Sequence, residues 1–221
     1  MKLMKKIALT GILGVWVCAA AACSPLAPQP DRTQYFVLAP AGGEAIAVSS
    51  PSTAQLSLGV GPIKFPDYLK RPGVVTRASS DRLMVSDEKR WGEPLDQNFE
   101  STLCQNLSRL LGTQRIITYP WYADTHIDYQ VEVWVTHFEA SENGQSEMTA
   151  VWTIRDGRNG NVLATSETTA NAPVQGDDLA GSAALSQDLG QMSRQIADRI
   201  AQLNSVPRSP AARAIEAGPN S

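Results

Sequence analysis

The sequence has few of the residues on which most enzymatic and metal sites depend. Its 221 residues include only two histidines and three cysteines, and aromatic residues make up 6%. The formal net charge is −3, from 19 basic and 22 acidic side chains. Because a nucleic-acid-binding protein needs an excess of basic residues to hold phosphates, this balance excludes that class. The apolar content of 43% is that of a globular protein with one or two domains.

Catalytic motifs are also missing. The sequence has no Gly-x-Ser-x-Gly nucleophile elbow and no Walker loop. His126 lies between Asp124 and Asp128, but zinc would need further ligands that the sequence does not cluster. His137 falls among the polar positions of a predicted strand, so we expect it to be exposed. We therefore expect no catalytic residue, no metal site and no enzymatic activity.

The first 22 residues have the pattern of a signal peptide. Three lysines precede a charge-free apolar run, 7–22, which is shorter than the ~20 residues that span a bilayer. The run ends in three alanines directly before Cys23, as in a bacterial lipobox, although position −3 is Ala20 rather than the usual leucine. We predict cleavage before Cys23 and acylation of that cysteine; the alternative is ordinary cleavage that leaves an incidental thiol.

The residues after Cys23 bear on where the protein resides. Ser24 occupies the position where an aspartate signals retention in the inner membrane, so serine favours the outer membrane, on its periplasmic face. Residues 23–32 form a lipidated N-terminus and a proline-rich spacer, whose roughly nine residues span at most about 30 Å. Cys104 is then the remaining cysteine of the mature chain, where we expect a buried structural thiol.

Alternating apolar residues predict a single domain over 33–204, in which strands are interrupted by two helices. The last three strands form an antiparallel meander, and the segment 205–221 is predicted to be a disordered tail. The predicted strands are Thr33–Leu38, Gln55–Val60, Gly73–Arg77, Arg82–Val85, Asp128–Ala140, Glu147–Arg155 and Asn161–Thr169.

Two amphipathic helices are predicted to pack against this sheet. The first covers Pro94–Leu111, where proline suits the first turn and Gly112 suits the C-terminal cap. The second covers Asp178–Leu203, with apolar residues at steps of three and four. Its apolar face packs on the sheet or, alternatively, forms a subunit interface.

The segment Gly61–Pro72 combines three prolines with large apolar side chains. The prolines are expected to exclude a regular helix or a central strand. Such a loop either buries its apolar groups in the core or presents them to a partner. The same alternatives apply to two tryptophans at the edges of predicted elements. The candidate partner-binding residues are Phe65, Tyr68, Leu69, Trp91 and Trp121.

An ordered series of short motifs resembles the PqiC/YmbA lipoproteins, also called ABC-type transport auxiliary lipoproteins. Each motif alone is weak, but together they cover about residues 33–203 in order. The motifs are Tyr35-Phe-Val-Leu38, Leu58-Gly-Val-Gly-Pro62, Tyr68-Leu69-x-Arg71-Pro72, Arg90-Trp91-x-Glu93-Pro94-Leu95, Asn106-Leu107-x-x-Leu110-Leu111-Gly112-Thr113, Tyr119-Pro120-Trp121, Asp128-Tyr129-x-Val131 and the helical run from Leu185 to Ala197.

The resemblance implies a function that composition does not. Members are partners of MCE-domain assemblies that carry lipids between the two membranes. By this resemblance we expect the lipoprotein to dock the periplasmic assembly at the outer membrane and to form a homo-oligomeric ring, with an octamer as the expected size. The resemblance also implies an α/β (α+β) fold, with a mixed, largely antiparallel sheet and helices packed against it. No cofactor is implied beyond the covalent lipid on Cys23. The alternatives are a structural outer-membrane assembly or envelope-integrity lipoprotein that binds a β-barrel or a cell-wall partner, and a lipid-tethered hydrolase.

Overall fold

The computed structural model describes residues 30–41, 50–176 and 181–205. The chain divides into two compact units, residues 1–32 and 33–221, and the second contains all the elements named below. The predicted signal peptide, Cys23, the spacer as far as Gln29 and the segment 206–221 lie outside the described residues.

Eight strands and two long helices make up the described part of the second unit. A short 3-10 helix, Asp67–Leu69, follows the second strand. The strands are β1 (Gln34–Phe36), β2 (Leu58–Lys64), β3 (Gly73–Ser79), β4 (Arg82–Trp91), β5 (Ile116–Thr118), β6 (Tyr129–Ser141), β7 (Ser146–Asp156) and β8 (Val162–Ala170), and the helices are α1 (Leu95–Leu111) and α2 (Ser182–Ser205).

The sheet is mixed, as predicted, and its antiparallel ladders are the longest. Strands β6, β7 and β8 form the predicted meander, and β3 and β4 form the predicted hairpin. The other edge of β6 is shared by two parallel neighbours: β2 pairs with its first half and β3 with its last two residues. On their far sides, β5 pairs with β2, β4 pairs with β3, and β1 pairs with β4. Four of the described strand pairs are parallel: β1–β4, β2–β5, β2–β6 and β3–β6.

The expectation that prolines exclude a central strand was wrong for β2. Pro62 lies within this strand, which is hydrogen-bonded to β5 on one side and to β6 on the other. Its register with β6 shifts between Val60 and Ile63. A bulge of this kind leaves a residue outside the ladder, so the missing N–H of proline costs no strand hydrogen bond.

Both helices form where their sequence patterns predict them. Pro94 is the N-cap of α1, and Gly112 ends it in the left-handed conformation, with φ 72°, that glycine adopts most readily. The start predicted for the second helix, Asp178, lies outside the described residues, and α2 continues to Ser205, one residue into the predicted tail. None of the described helices is long and apolar enough to cross a membrane.

The core lies between these helices and one face of the sheet. The helices contact each other, α1 covers β2, and α2 covers β6, β7 and β8. Alternate side chains of β6, Val131, Val133 and Val135, are fully or nearly fully buried beneath them. The apolar stripe of α2 therefore packs on the sheet, which is the first of the two predicted alternatives. The segment 38–41 is held to the helices by backbone hydrogen bonds to Asn98, Asn106 and Ser186.

A buried carboxyl group joins α2 to the start of β7. Asp188 is 2% exposed and accepts a hydrogen bond of 2.5 Å from the Ser146 hydroxyl. Burial raises the pKa of Asp188, and the hydrogen bond from Ser146 offsets only part of that effect. The folded protein therefore holds this proton more tightly than the unfolded chain does. The contribution of Asp188 to stability is most favourable at acid pH and is lost as the pH rises through the folded-state pKa.

We expect Asp188→Asn to change the pH dependence of stability. Asparagine keeps an oxygen that can accept the Ser146 hydrogen bond but never becomes charged. The free energy of unfolding of the variant, relative to wild type, should increase between pH 3.5 and pH 7. Urea unfolding at several pH values measures this difference, and Asp198→Asn, an exposed change on the same helix, is the control. A relative stability that falls with pH would contradict the assignment.

Candidate partner-binding surface

In the segment Gly61–Pro72, here called the proline-rich segment, the side chain of Phe65 lies in the core. Phe65 is 6% exposed and packs edge-to-face on Phe99 and Phe138, with ring centroids 5.1 and 6.2 Å apart. Leu69, in the 3-10 helix, is 2% exposed. Of the two alternatives that the sequence left open for these residues, the structure supports burial. Neither side chain is available to a partner, because both already have apolar neighbours.

Tyr68 connects the same segment to a buried ion pair. Its hydroxyl lies 3.0 Å from Glu139 Oε2 and 3.1 Å from the carbonyl oxygen of Thr136. Burial, and then the Glu139 carboxylate, raise the pKa of Tyr68 well above its ordinary value, so the hydroxyl stays protonated and donates. Glu139 is 1% exposed. Tyr68 is thus a half-buried positioning residue, which attaches the proline-rich segment to β6.

The charge of Glu139 is compensated by three further donors. Arg77 Nε donates to Glu139 Oε1 at 2.8 Å, a second guanidinium nitrogen contacts the same oxygen, and the backbone N–H of Phe138 donates to Oε2 at 2.7 Å. Sequence reasoning missed both Arg77 and Glu139 as important residues. They are 62 positions apart, and no periodicity predicts that such residues meet.

A groove lies where two of the sequence motifs come together. Trp91 donates its backbone N–H to the carbonyl oxygen of Pro72 at 2.8 Å, which joins the end of the proline-rich segment to the end of β4. The groove has a volume of about 400 Å³. Trp91 is 6% exposed, so it forms the floor of the groove rather than projecting from it. The lining residues are Lys70, Arg71, Pro72, Trp91, Gly92, Glu93, Pro94, Leu95 and Asp96.

The groove has charges of both signs on its rim. Lys70 is paired with Asp67 at 2.8 Å, whereas the neighbouring Arg71 is exposed. Glu93 and Asp96 supply negative charge at the start of α1. An apolar floor with a rim of mixed charge suits a polypeptide partner, which buries an apolar side chain and pairs its own charges at the edge.

Trp121 lies elsewhere, on the part of the sheet formed by β2 and β5. A Cβ atom at Gly59 would lie 2.9 Å from its ring, so the absence of a side chain at Gly59 makes room for the indole. Trp121 is half-buried and packs edge-to-face on Tyr119, with centroids 5.4 Å apart. The more exposed aromatic residues here are Tyr119 and Tyr122, at 52% and 85%, and sequence reasoning did not select them. Trp121 follows β5, which pairs with β2, whereas Trp91 ends β4, which pairs with β3.

The titratable residues considered from sequence form no reactive cluster in the described part of the chain. His126 is exposed and lies 3.5 Å from Asp128, and no group of three or more potential metal ligands occurs among the described residues. Burial and the neighbouring Glu100 raise the pKa of Cys104 to about 12. The thiol is therefore protonated at neutral pH. Cys104 is partly buried rather than fully buried as predicted, and it packs against the core.

Comparison with known proteins places this chain in a family. Among curated proteins, the Intermembrane transport lipoprotein PqiC of Escherichia coli (strain K12) is 30% identical over 108 residues, which are 48% of this chain and 55% of PqiC. The chain thus spans about half the length of this relative.

Solved structures share the fold. Protein XCC0632 of Xanthomonas campestris superposes with a TM-score of 0.61 at 16% identity, over 76% of this chain and 95% of its own. The crystal structure of an uncharacterized protein gives a TM-score of 0.60 at 24% identity, over 76% of this chain and 98% of its own. A family model matches residues 36–197, from the end of β1 into α2, so the chain belongs to the family of the ABC-type transport auxiliary lipoprotein component.

Proposed function

We propose that this protein is an outer-membrane-anchored periplasmic lipoprotein that docks an MCE-domain assembly during lipid transport between the membranes. The observation that carries the proposal is the family match over 36–197, which spans the sheet and both helices. The PqiC relative is named an intermembrane transport lipoprotein, which supports a role in transport between membranes. The lipobox-like sequence before Cys23 supplies the anchor.

In this proposal the protein acts by position rather than by catalysis. The lipid on Cys23 holds the domain at the membrane, and anchoring raises the local concentration of docking sites. Assembly into a homo-oligomeric ring, with an octamer as the expected size, presents several copies of the surface to one partner. No cofactor is needed.

The groove between the proline-rich segment and α1 is the proposed docking surface for the MCE protein. Phe65 and Leu69 act from the core by holding this segment in place, Tyr68 fastens it to β6, and Trp91 forms the floor. The aromatic pair of Trp121 and Tyr119 is a second candidate surface. It lies next to the groove, because Asp96 lines both the groove and a pocket that Tyr119 borders.

Affinity purification from native membranes, followed by mass spectrometry, tests the proposal. We expect an MCE-domain protein to co-purify with wild type. Arg71→Glu should reduce its recovery, because it reverses an exposed charge on the groove rim, whereas Arg194→Glu, an exposed change on α2, should not. Cys23→Ala should abolish incorporation of labelled palmitate and release the protein from the outer membrane. Undiminished labelling of this variant would contradict the anchor.

The runner-up function is a structural outer-membrane lipoprotein that binds a β-barrel or a cell-wall component. The same purification separates the two functions, since a barrel or peptidoglycan-associated protein in place of an MCE protein would support the second. The family match favours the first.

A further inference from the structure

The turn between β3 and β4 lies at the end of the sheet where β6 ends, beside the turn that follows β6. Strand β3 pairs with β6 only at Thr76 and Arg77, close to the end of β6. On the other side, β1 covers only Lys89–Trp91 of β4. Among the described residues, the segment 78–85, here called the hairpin tip, therefore has no strand beside it other than its own partner.

The exposed residues of the hairpin tip are both polar and apolar: Asp81 and Arg82 are exposed at the turn, and Met84 and Val85 are exposed in β4. Leu83, Met84 and Val85 follow one another, and Met84 and Val85 are 52% and 45% exposed. Successive side chains of a strand point to opposite faces, so Met84 and Val85 expose an apolar side chain on each face of the hairpin, close to its turn. Tyr35, on the adjacent β1, is 68% exposed.

The covalent connection to Cys23 reaches the sheet at this end. β1 is parallel to β4, with Gln34 opposite Lys89, so the end of β1 that leads to Cys23 lies on the side of the hairpin tip. Met84 is five positions before Lys89, a distance of at most about 17 Å along the strand. The eleven steps from Cys23 to Gln34 span at most about 40 Å. A lipid on Cys23 thus keeps the bilayer within reach of the hairpin tip.

We propose that the hairpin tip contacts the lipid headgroup region of the membrane in which Cys23 is anchored; this inference rests on the proposed lipidation. Met84 and Val85 enter the interface, where apolar side chains gain by leaving water. Asp81, Arg82 and the backbone edge of β4 away from β3, which over 82–88 has no partner strand among the described residues, keep the tip from entering the hydrocarbon, because polar groups have no partners there. The membrane contact thereby fixes the orientation of the domain and the face that it presents to the periplasm.

The test uses the lipidated protein in vesicles of phosphatidylethanolamine with a minor fraction of phosphatidylglycerol. An environment-sensitive fluorophore is attached through Met84→Cys in a Cys104→Ser background. The control is the same probe at Val162→Cys, which is similarly exposed, at 54%, but lies at the opposite end of the sheet. Val162 pairs with Arg155, which is opposite Gln130 at the start of β6, whereas Met84 pairs with Thr76, which is opposite Ala140 near its end.

We expect brominated lipids to quench the probe at Met84 several-fold more than the probe at Val162. Equal quenching at the two positions, in protein that floats with the vesicles, would overturn the inference and leave the anchor intact. The Met84 probe could instead be shielded only as the density of protein on the vesicles rises, with no effect of brominated lipid. The hairpin tip would then contact a second copy of the chain, and that result would also overturn the inference. Protein that fails to float would instead contradict lipidation of Cys23, which separates the two failures.

Discussion

Glu139→Ala is expected to lower the free energy of unfolding by about 3–5 kcal/mol, because it leaves the Arg77 guanidinium without its partner in a largely buried position. The substitution also removes the acceptor for the Phe138 N–H and for the Tyr68 hydroxyl. Of the two polar contacts that Tyr68 makes with β6, the one with the carbonyl oxygen of Thr136 remains. Urea unfolding of the purified mature domain, followed by circular dichroism, measures the loss.

The matched control for this prediction is Glu147→Ala. Glu147 also faces Arg77, but at 3.8 Å and with its side chain 41% exposed. An exposed pair of this kind contributes no more than about 1 kcal/mol. The double variant Arg77→Met, Glu139→Leu should recover part of the lost stability, since it removes both charges together. If Glu139→Ala costs no more than Glu147→Ala, the buried ion pair does not hold the segment.

Phe65→Ala should have an effect of similar size, about 3–5 kcal/mol of unfolding free energy, because it removes a buried ring and leaves a cavity. The edge-to-face contacts with Phe99 and Phe138 add to the loss. Thermal and urea unfolding measure the change. Tyr122→Ala, at a residue 85% exposed, is the control and should be close to neutral.

The same variant separates the two roles that the sequence left open for Phe65. If Phe65 bound the partner, its substitution would reduce recovery of the partner without changing the stability of the domain. A core residue lowers the melting temperature, and partner recovery falls only as the domain unfolds. An unaltered melting temperature for Phe65→Ala together with a lost MCE interaction would show that the ring acts at the interface after all.

Local patterns were sufficient for several elements of this fold. Helix α1 is delimited by Pro94 and Gly112, whose backbone preferences act at their own positions. The β6–β8 meander is visible because side chains alternate along each strand and short turns connect neighbours. The order of short motifs indicated the family, and the match over 36–197 confirms it.

Pairing between distant segments was beyond such patterns. β5 has only three residues, Ile116–Thr118, too few to show a period, and it forms as a strand because β2 lies beside it. Long connections separate β2 and β3 from β6 in the sequence. The periodicity of side chains along a strand does not predict with which distant strand, or in which register, it pairs. Pro62 stands in a central strand because a bulge removes the need for its hydrogen bond.

The sequence by itself determined the lipobox-like start, the helices, the meander and the family, because each depends on neighbouring residues or on an ordered series of motifs. Only the tertiary structure decided the roles of the candidate site residues. Phe65 and Leu69 could face a partner or the core, and the position of Phe99 and Phe138 places them inside. Burial depends on what the rest of the chain packs against a side chain, and hydrophobicity is the same whether that neighbour is the protein's own core or another molecule.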